Sequence, residues 1–179
     1  RMSGIAATTA KFVQELAGTE CKILDTRKTT PLLRILERQA VRDGGGMNHR
    51  YNLSDQVLIK DNHIAAVGSI AKAVEMVRKV VGKSMKIEVE VETKEEFLEA
   101  LGTSVDIIMF DNMDNELMKE LVEINNHNKK IEASGNMELK RVRSVALLGV
   151  DYISVGALTH SYKSLDISLK FYKNFPRSK

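Results

Sequence analysis

Charged and hydrogen-bonding residues gather at a few points of this sequence, and most of these clusters follow a short apolar run. Asp25-Thr26-Arg27-Lys28 comes directly after Ile23-Leu24, and Lys60-Asp61-Asn62-His63 after Val57-Leu58-Ile59. Asn48-His49-Arg50 stands behind the glycine run Gly44-Gly45-Gly46. Cations at the ends of buried strands cost desolvation energy unless something anionic faces them. Arginine grips a carboxylate through two parallel hydrogen bonds, whereas lysine offers a mobile point charge. Arg27, His49 and Arg50 therefore suit a dicarboxylate, and Lys28 and Lys60 suit phosphate. An isolated arginine here would more often pair with an internal acid such as Asp25 or Asp61. Three clustered cations favour a ligand with several negative charges.

Further polar groups end the other apolar runs: Glu90, Asp111-Asn112, Ser134-Gly135, and Gly156 with His160. Glu90 and Asp111 lie on different strands and could share Mg²⁺, which takes few protein carboxylates and completes its octahedron with water and substrate phosphate. Glu88, Glu90 and Glu92 also alternate, as on the wet face of an edge strand. Asp111 is harder to explain that way, because it closes the run Ile107-Ile108-Met109-Phe110. Gly135 and Gly156 offer close backbone approach and amide donors to a phosphate, although simple turns account for them equally well. The glycine run lacks the GK[ST] ending of a phosphate loop. It reads as a flexible connection that lets Asn48 to Arg50 turn into the pocket. The histidines lack zinc spacing.

These side chains need a scaffold, and the chain alternates strand-like and helix-like segments. Strands are predicted at residues 21–25, 57–60, 86–92, 105–111, 131–134 and 152–155. Helices lie between them, with Pro31 in the first turn of one and Ser69 and Asp114 as N-caps. Such spacing implies parallel βα units, and about six strands fall short of a full eight-stranded barrel. No GxGxxG follows the first strand, so a Rossmann fold is disfavoured. The tail LDISLKFYKNF alternates like a further strand. A chain of 179 residues suffices for one main core. Its net charge of +3 and 5% aromatic content lack the basic, aromatic-interleaved stripe of a nucleic-acid binder. Cys21 is alone, so no internal disulfide forms and a reducing compartment fits. No run approaches the ~20 apolar residues of a membrane span. With no leader visible, the cytoplasm is the expected location. The chain opens inside an amphipathic helix without an initiator methionine, as a fragment would.

The runs DTRKTTP, GGGMNHR and LIKDNHI, in this order, closely resemble the signature of quinolinate phosphoribosyltransferases. The resemblance covers nearly the whole chain. It implies an open, incomplete α/β barrel of six to seven parallel strands, TIM-like, over residues 1–162. Residues 163–179 would then pack with an N-terminal domain that precedes this point. It implies transfer of a phosphoribosyl group from phosphoribosyl pyrophosphate to quinolinate with decarboxylation, giving nicotinate mononucleotide. Arg27, His49, Arg50 and Lys60 would hold the two carboxylates. Lys28 and Lys60 would lie near phosphoribosyl pyrophosphate, and Glu90 and Asp111 would be metal-linked acids for Mg²⁺. Ser134, Gly135, Gly156 and His160 would border the phosphates, and Asn112 would be a further substrate contact. A homodimer or larger assembly is implied, with an arginine from a partner's N-terminal domain completing the site. The family pattern has glycine after TTP, where this chain has Leu32. The same residues would also serve a related phosphoribosyltransferase acting on another acidic aromatic base, or a silent phosphate-binding fragment.

Overall fold

Period-two alternation sets which way each strand residue faces, and here it divides an apolar outside from a polar inside. The computed structural model describes residues 1–171. In chain order the elements are α1 (Met2–Glu15), β1 (Lys22–Leu24), α2 (Arg34–Asp43), β2 (Val57–Ile59), α3 (Asp61–Val67), α4 (Ile70–Val81) and β3 (Ile87–Val91). They continue with α5 (Lys94–Leu101), β4 (Ile107–Asp111), α6 (Asn115–Asn125), β5 (Lys130–Ser134), α7 (Leu139–Ala146), β6 (Tyr152–Ser154) and α8 (Ala157–His160). Ile87, Val89, Val91, Ile108, Phe110, Ile131, Ala133 and Ile153 are buried in the apolar core. Phe97 of α5 meets Phe110 of β4 edge to face, with ring centroids 5.7 Å apart. The alternate positions, including Leu58, Glu90, Met109, Asp111, Ser134 and Ser154, line an internal cavity instead.

All pairings are parallel, and the six strands run in the order β1-β6-β5-β4-β3-β2. This is chain order read around a ring, with the pairing of β1 to β2 left unmade. The fold is therefore an α/β barrel opened along one seam. At that seam Met47 bridges Leu24. Its amide donates to the Ile23 carbonyl at 2.8 Å, and its carbonyl accepts from the Asp25 amide at 3.1 Å. Ser69, Thr93 and Asp114 cap α4, α5 and α6 by accepting the amides of Lys72, Glu96 and Leu117.

Several expectations change. Residues 31–33 form a turn and α2 begins at Arg34, because Leu32 adopts a left-handed φ of 65° that no helix continues. The glycine run is a packed joint, not a flexible connection. A Cβ on Gly44 would meet the Ala6 carbonyl oxygen at 2.5 Å, and one on Gly46 would meet Thr9 Cγ2 at 2.8 Å. Helices α3 and α8 have no counterpart in the sequence reading; α3 buries no residue, so no apolar stripe marked it. Glu88 is fully buried, which rules out a wet face at that position. Residues 161–171 form no strand, and the rest of the expected tail strand lies outside the described residues.

Candidate active site

The C-terminal ends of parallel strands leave side chains free to converge, because the following loops turn away from the sheet. Here they converge on a cavity of about 770 Å³ lined by Arg27, Lys28, His49, Arg50, Lys60, Glu90, Asp111 and Ser134, among others. Asn112, Gly135, Gly156 and His160 are not in its lining. They sit just behind it: the Asn112 amide donates to the Ser134 carbonyl, and a Cβ on Gly156 would fall 3.5 Å from Lys28 Cδ. The same Cβ would lie 2.9 Å from His160 Nε2, so glycine keeps this turn close to the histidine ring. Gly135, with φ of 82°, packs against Asn112 where any side chain would collide.

Two cations of the cavity have no carboxylate within ion-pair distance among the described residues. Among the described residues neither Arg27 nor Arg50 pairs with a carboxylate, and Arg27 Nε is buried without a hydrogen-bond partner. Arg50 donates to the Gln56 carbonyl at 3.0 Å. Burial and the neighbouring Arg27 charge push the Arg50 guanidinium below its usual value, which means the two cations repel one another. Asp25, two positions before Arg27, is engaged elsewhere. Asp25, fully buried, accepts from Arg38 Nη1 at 3.3 Å, Asn48 Nδ2 at 2.6 Å and the His49 amide at 2.8 Å.

His49 lines the cavity, but its ring is committed to other groups. Nε2 lies 3.2 Å from Glu88 Oε2 and 3.4 Å from Glu132 Oε2, and Nδ1 accepts the Arg50 amide at 2.8 Å. Burial opposes charge on the ring, but the hydrogen bonds and charges of Glu132 and Glu88 outweigh it and push His49 up to about 10. Burial and the Glu132 charge push Glu88 up to about 7. The three groups together thus hold an extra proton near neutrality. Because Nδ1 accepts the Arg50 amide, a ring proton sits on Nε2, facing the two glutamates. Nε2 then has no lone pair for a cation, so this cluster is a poor metal centre despite its ligand types.

Glu90 and Asp111 form a second acidic pair on neighbouring strands. Burial raises the Glu90 pKa, a nearby Lys60 opposes the rise, and the Asp111 charge adds to it. Lys60 Nζ is hydrogen-bonded to Glu90 Oε1, bridging the cationic and acidic walls. Two carboxylates open to a large cavity fit Mg²⁺, which leaves most positions to water and phosphate oxygens.

The sequence matches the quinolinate phosphoribosyl transferase C-terminal domain over residues 5–170. The chain belongs to that family. It is 50% identical over 169 residues to a probable nicotinate-nucleotide pyrophosphorylase (carboxylating) of Bacillus subtilis, covering 94% of this chain and 58% of the relative. A probable enzyme of the same name from Synechocystis is 46% identical over 176 residues, with coverage of 97% and 60%. The crystal structure of NadC from Streptococcus pyogenes superimposes with a TM-score of 0.91 at 48% identity, covering 95% of this chain and 60% of that one. The chain thus spans about 60% of the length of these relatives.

Within this quinolinate phosphoribosyl transferase domain, three residues around the site escaped sequence reasoning. Glu88 sits in an alternating run that looks solvent-facing, and Glu132 is a single acid in a short strand. Arg38 lies among Glu37, Gln39 and Arg42, a stretch that reads as a polar helix surface. Burial of Glu37, Arg38, Ala40 and Val41 on one face of α2 is the signal in hindsight.

Proposed function

We propose that this chain is the phosphoribosyl-transfer domain of an enzyme that converts quinolinate and phosphoribosyl pyrophosphate into nicotinate mononucleotide, pyrophosphate and carbon dioxide. The observation that supports it is the pair of guanidiniums without a direct ion pair, Arg27 and Arg50, in one cavity with the Glu90–Asp111 acids. A dicarboxylate supplies the missing negative charge, and each arginine can make a bidentate contact. Lys60 stands between the two walls and can turn from Glu90 to a substrate carboxylate. His49 acts chiefly by holding Arg50 through its backbone contact. Lys28, Asn112, Ser134, Gly135, Gly156 and His160 serve the phosphate groups.

Glu90 and Asp111 would hold Mg²⁺, whose charge stabilises the departing pyrophosphate. The arginines position the pyridine nitrogen in line with ribose C1, which is mainly an entropic advantage. The C1–N bond forms as the C1–O bond to pyrophosphate breaks. The bond from ring C2 to its carboxyl carbon then breaks, carbon dioxide leaves, and the electron pair left on C2 takes up a proton. No covalent nucleophile is required. The working unit in this reading is a cytoplasmic homodimer whose partner completes the site. No described helix is long and apolar enough to cross a membrane.

Calorimetric titration tests the reading. Quinolinate, with two carboxylates, is expected to bind at least about tenfold more tightly than nicotinate, the scale of one charge-assisted contact. Equal affinities for the two acids would overturn it.

A further inference from the structure

Arg38 does not line the cavity, yet the acceptor half of the site hangs on it. Its side chain is almost fully buried, and its fork reaches three acceptors. Nη1 donates to Asp25 Oδ1 at 3.3 Å and to the Arg50 carbonyl at 3.1 Å, while Nη2 donates to the His49 carbonyl at 2.6 Å. The guanidinium stacks over the Tyr51 ring, 5.3 Å from its centroid. Asp25 holds the same segment from the other side, through the His49 amide and the Asn48 side chain. The Asn48 amide group also donates to the Arg38 carbonyl at 3.0 Å. The peptide from Asn48 to Arg50 is thus clamped between a buried carboxylate and a buried guanidinium.

This clamp has two effects that bear on recognition. It gives Asp25 an internal counter-ion, so that Asp25 does not compete with a ligand for Arg27 or Arg50. It also fixes the backbone from which the Arg50 guanidinium projects. Placement errors of an ångström in such a contact are costly to binding. None of the contacts of Arg38 reaches Ser134, Gly135, Gly156 or His160 at the phosphate end.

We propose that Arg38 is a positioning residue that sets affinity for the dicarboxylate acceptor and leaves phosphate binding unaffected. The inference rests on the function proposed above, and it names the residue that makes the arginine pair available.

The test is calorimetric titration of the chain with quinolinate and, separately, with magnesium pyrophosphate, alongside urea unfolding. Arg38→Lys keeps the charge beside Asp25 but cannot fork to both carbonyls. Its quinolinate affinity is expected to fall about tenfold or more, the size of one charge-assisted hydrogen bond, with pyrophosphate affinity unchanged. Tyr51 is 41% exposed, so Tyr51→Leu spares the core; removing the stacking is expected to weaken quinolinate about two- to fivefold. If Arg38→Lys does not fold, Tyr51→Leu decides the matter. Unchanged quinolinate affinity in the variants that fold overturns the inference. So does a parallel fall for both ligands that tracks lost stability, the mark of a merely structural role. Absence of quinolinate binding by the unaltered chain would overturn the proposed function itself, and this inference with it.

Discussion

Replacing Arg27 with methionine should make the free protein more stable and the bound one much weaker. Arg27 contributes two unfavourable terms to the empty site. Among the described residues its Nε is buried with no partner, and its charge lies close enough to Arg50 to depress that group's pKa. An unsatisfied buried donor costs about 1–3 kcal/mol. Methionine fills similar space without a polar atom, so Arg27→Met should gain about 1 kcal/mol in urea unfolding after allowance for imperfect packing. Binding moves the other way. A hydrogen bond to a charged group contributes about 1.5–3 kcal/mol, so losing the fork should weaken quinolinate roughly 10- to 150-fold. Urea denaturation and calorimetry on the same preparation read both effects. A variant that loses stability, or that keeps its quinolinate affinity, would refute the idea that Arg27 is held in reserve for a ligand.

Leu32 is fully exposed at a left-handed φ of 65°, so Leu32→Gly sacrifices no burial and relieves about 1–2 kcal/mol of strain. Glycine's extra freedom in the unfolded chain returns about half of that, leaving a net gain near 0.5–1 kcal/mol by urea unfolding. Asp111→Asn should weaken Mn²⁺ binding measured by electron paramagnetic resonance with pyrophosphate present; an identical titration would remove Asp111 from the metal site. The His49–Glu88–Glu132 cluster makes stability depend on pH. The folded pKa of His49, about 10, lies above its ordinary value of 6.5, so the folded state holds the extra proton between these limits. Its stabilisation is complete below pH 6.5 and is lost as pH rises toward 10. The urea midpoint should fall over that range, and Glu132→Gln should flatten the slope.

Much of the site was legible because parallel strands advertise their ends. Arg27, Lys28, Lys60 and Asp111 follow or close short apolar runs, Glu90 and Ser134 lie at or near strand ends, and convergence follows from topology alone. What sequence could not supply was the inside of the barrel. An alternating run such as IEVEVE looks the same whether its acids face water or one another across a lumen. Glu88 and Glu132 meet His49 only because β3, β4 and β5 are adjacent. The choice among Arg27, Arg38 and Arg50 as the partner of Asp25 was equally hidden. Arg38 is thirteen positions from Asp25, and only the docking of α2 brings them together. The start of α2 was misplaced for a local reason, since Leu32 takes a conformation its residue type disfavours.

The unmade pairing between β1 and β2 sets Arg27 and Lys60 on opposite lips of a gap. In a closed ring each wall is tethered on both flanks; here, among the described residues, β2 is tethered only to β3, and β1 to β6 and Met47. An anion gripped by both cations would act as a clasp across that slit. Occupancy would then register far from the chemistry, as slower hydrogen exchange at the amides of the two border strands.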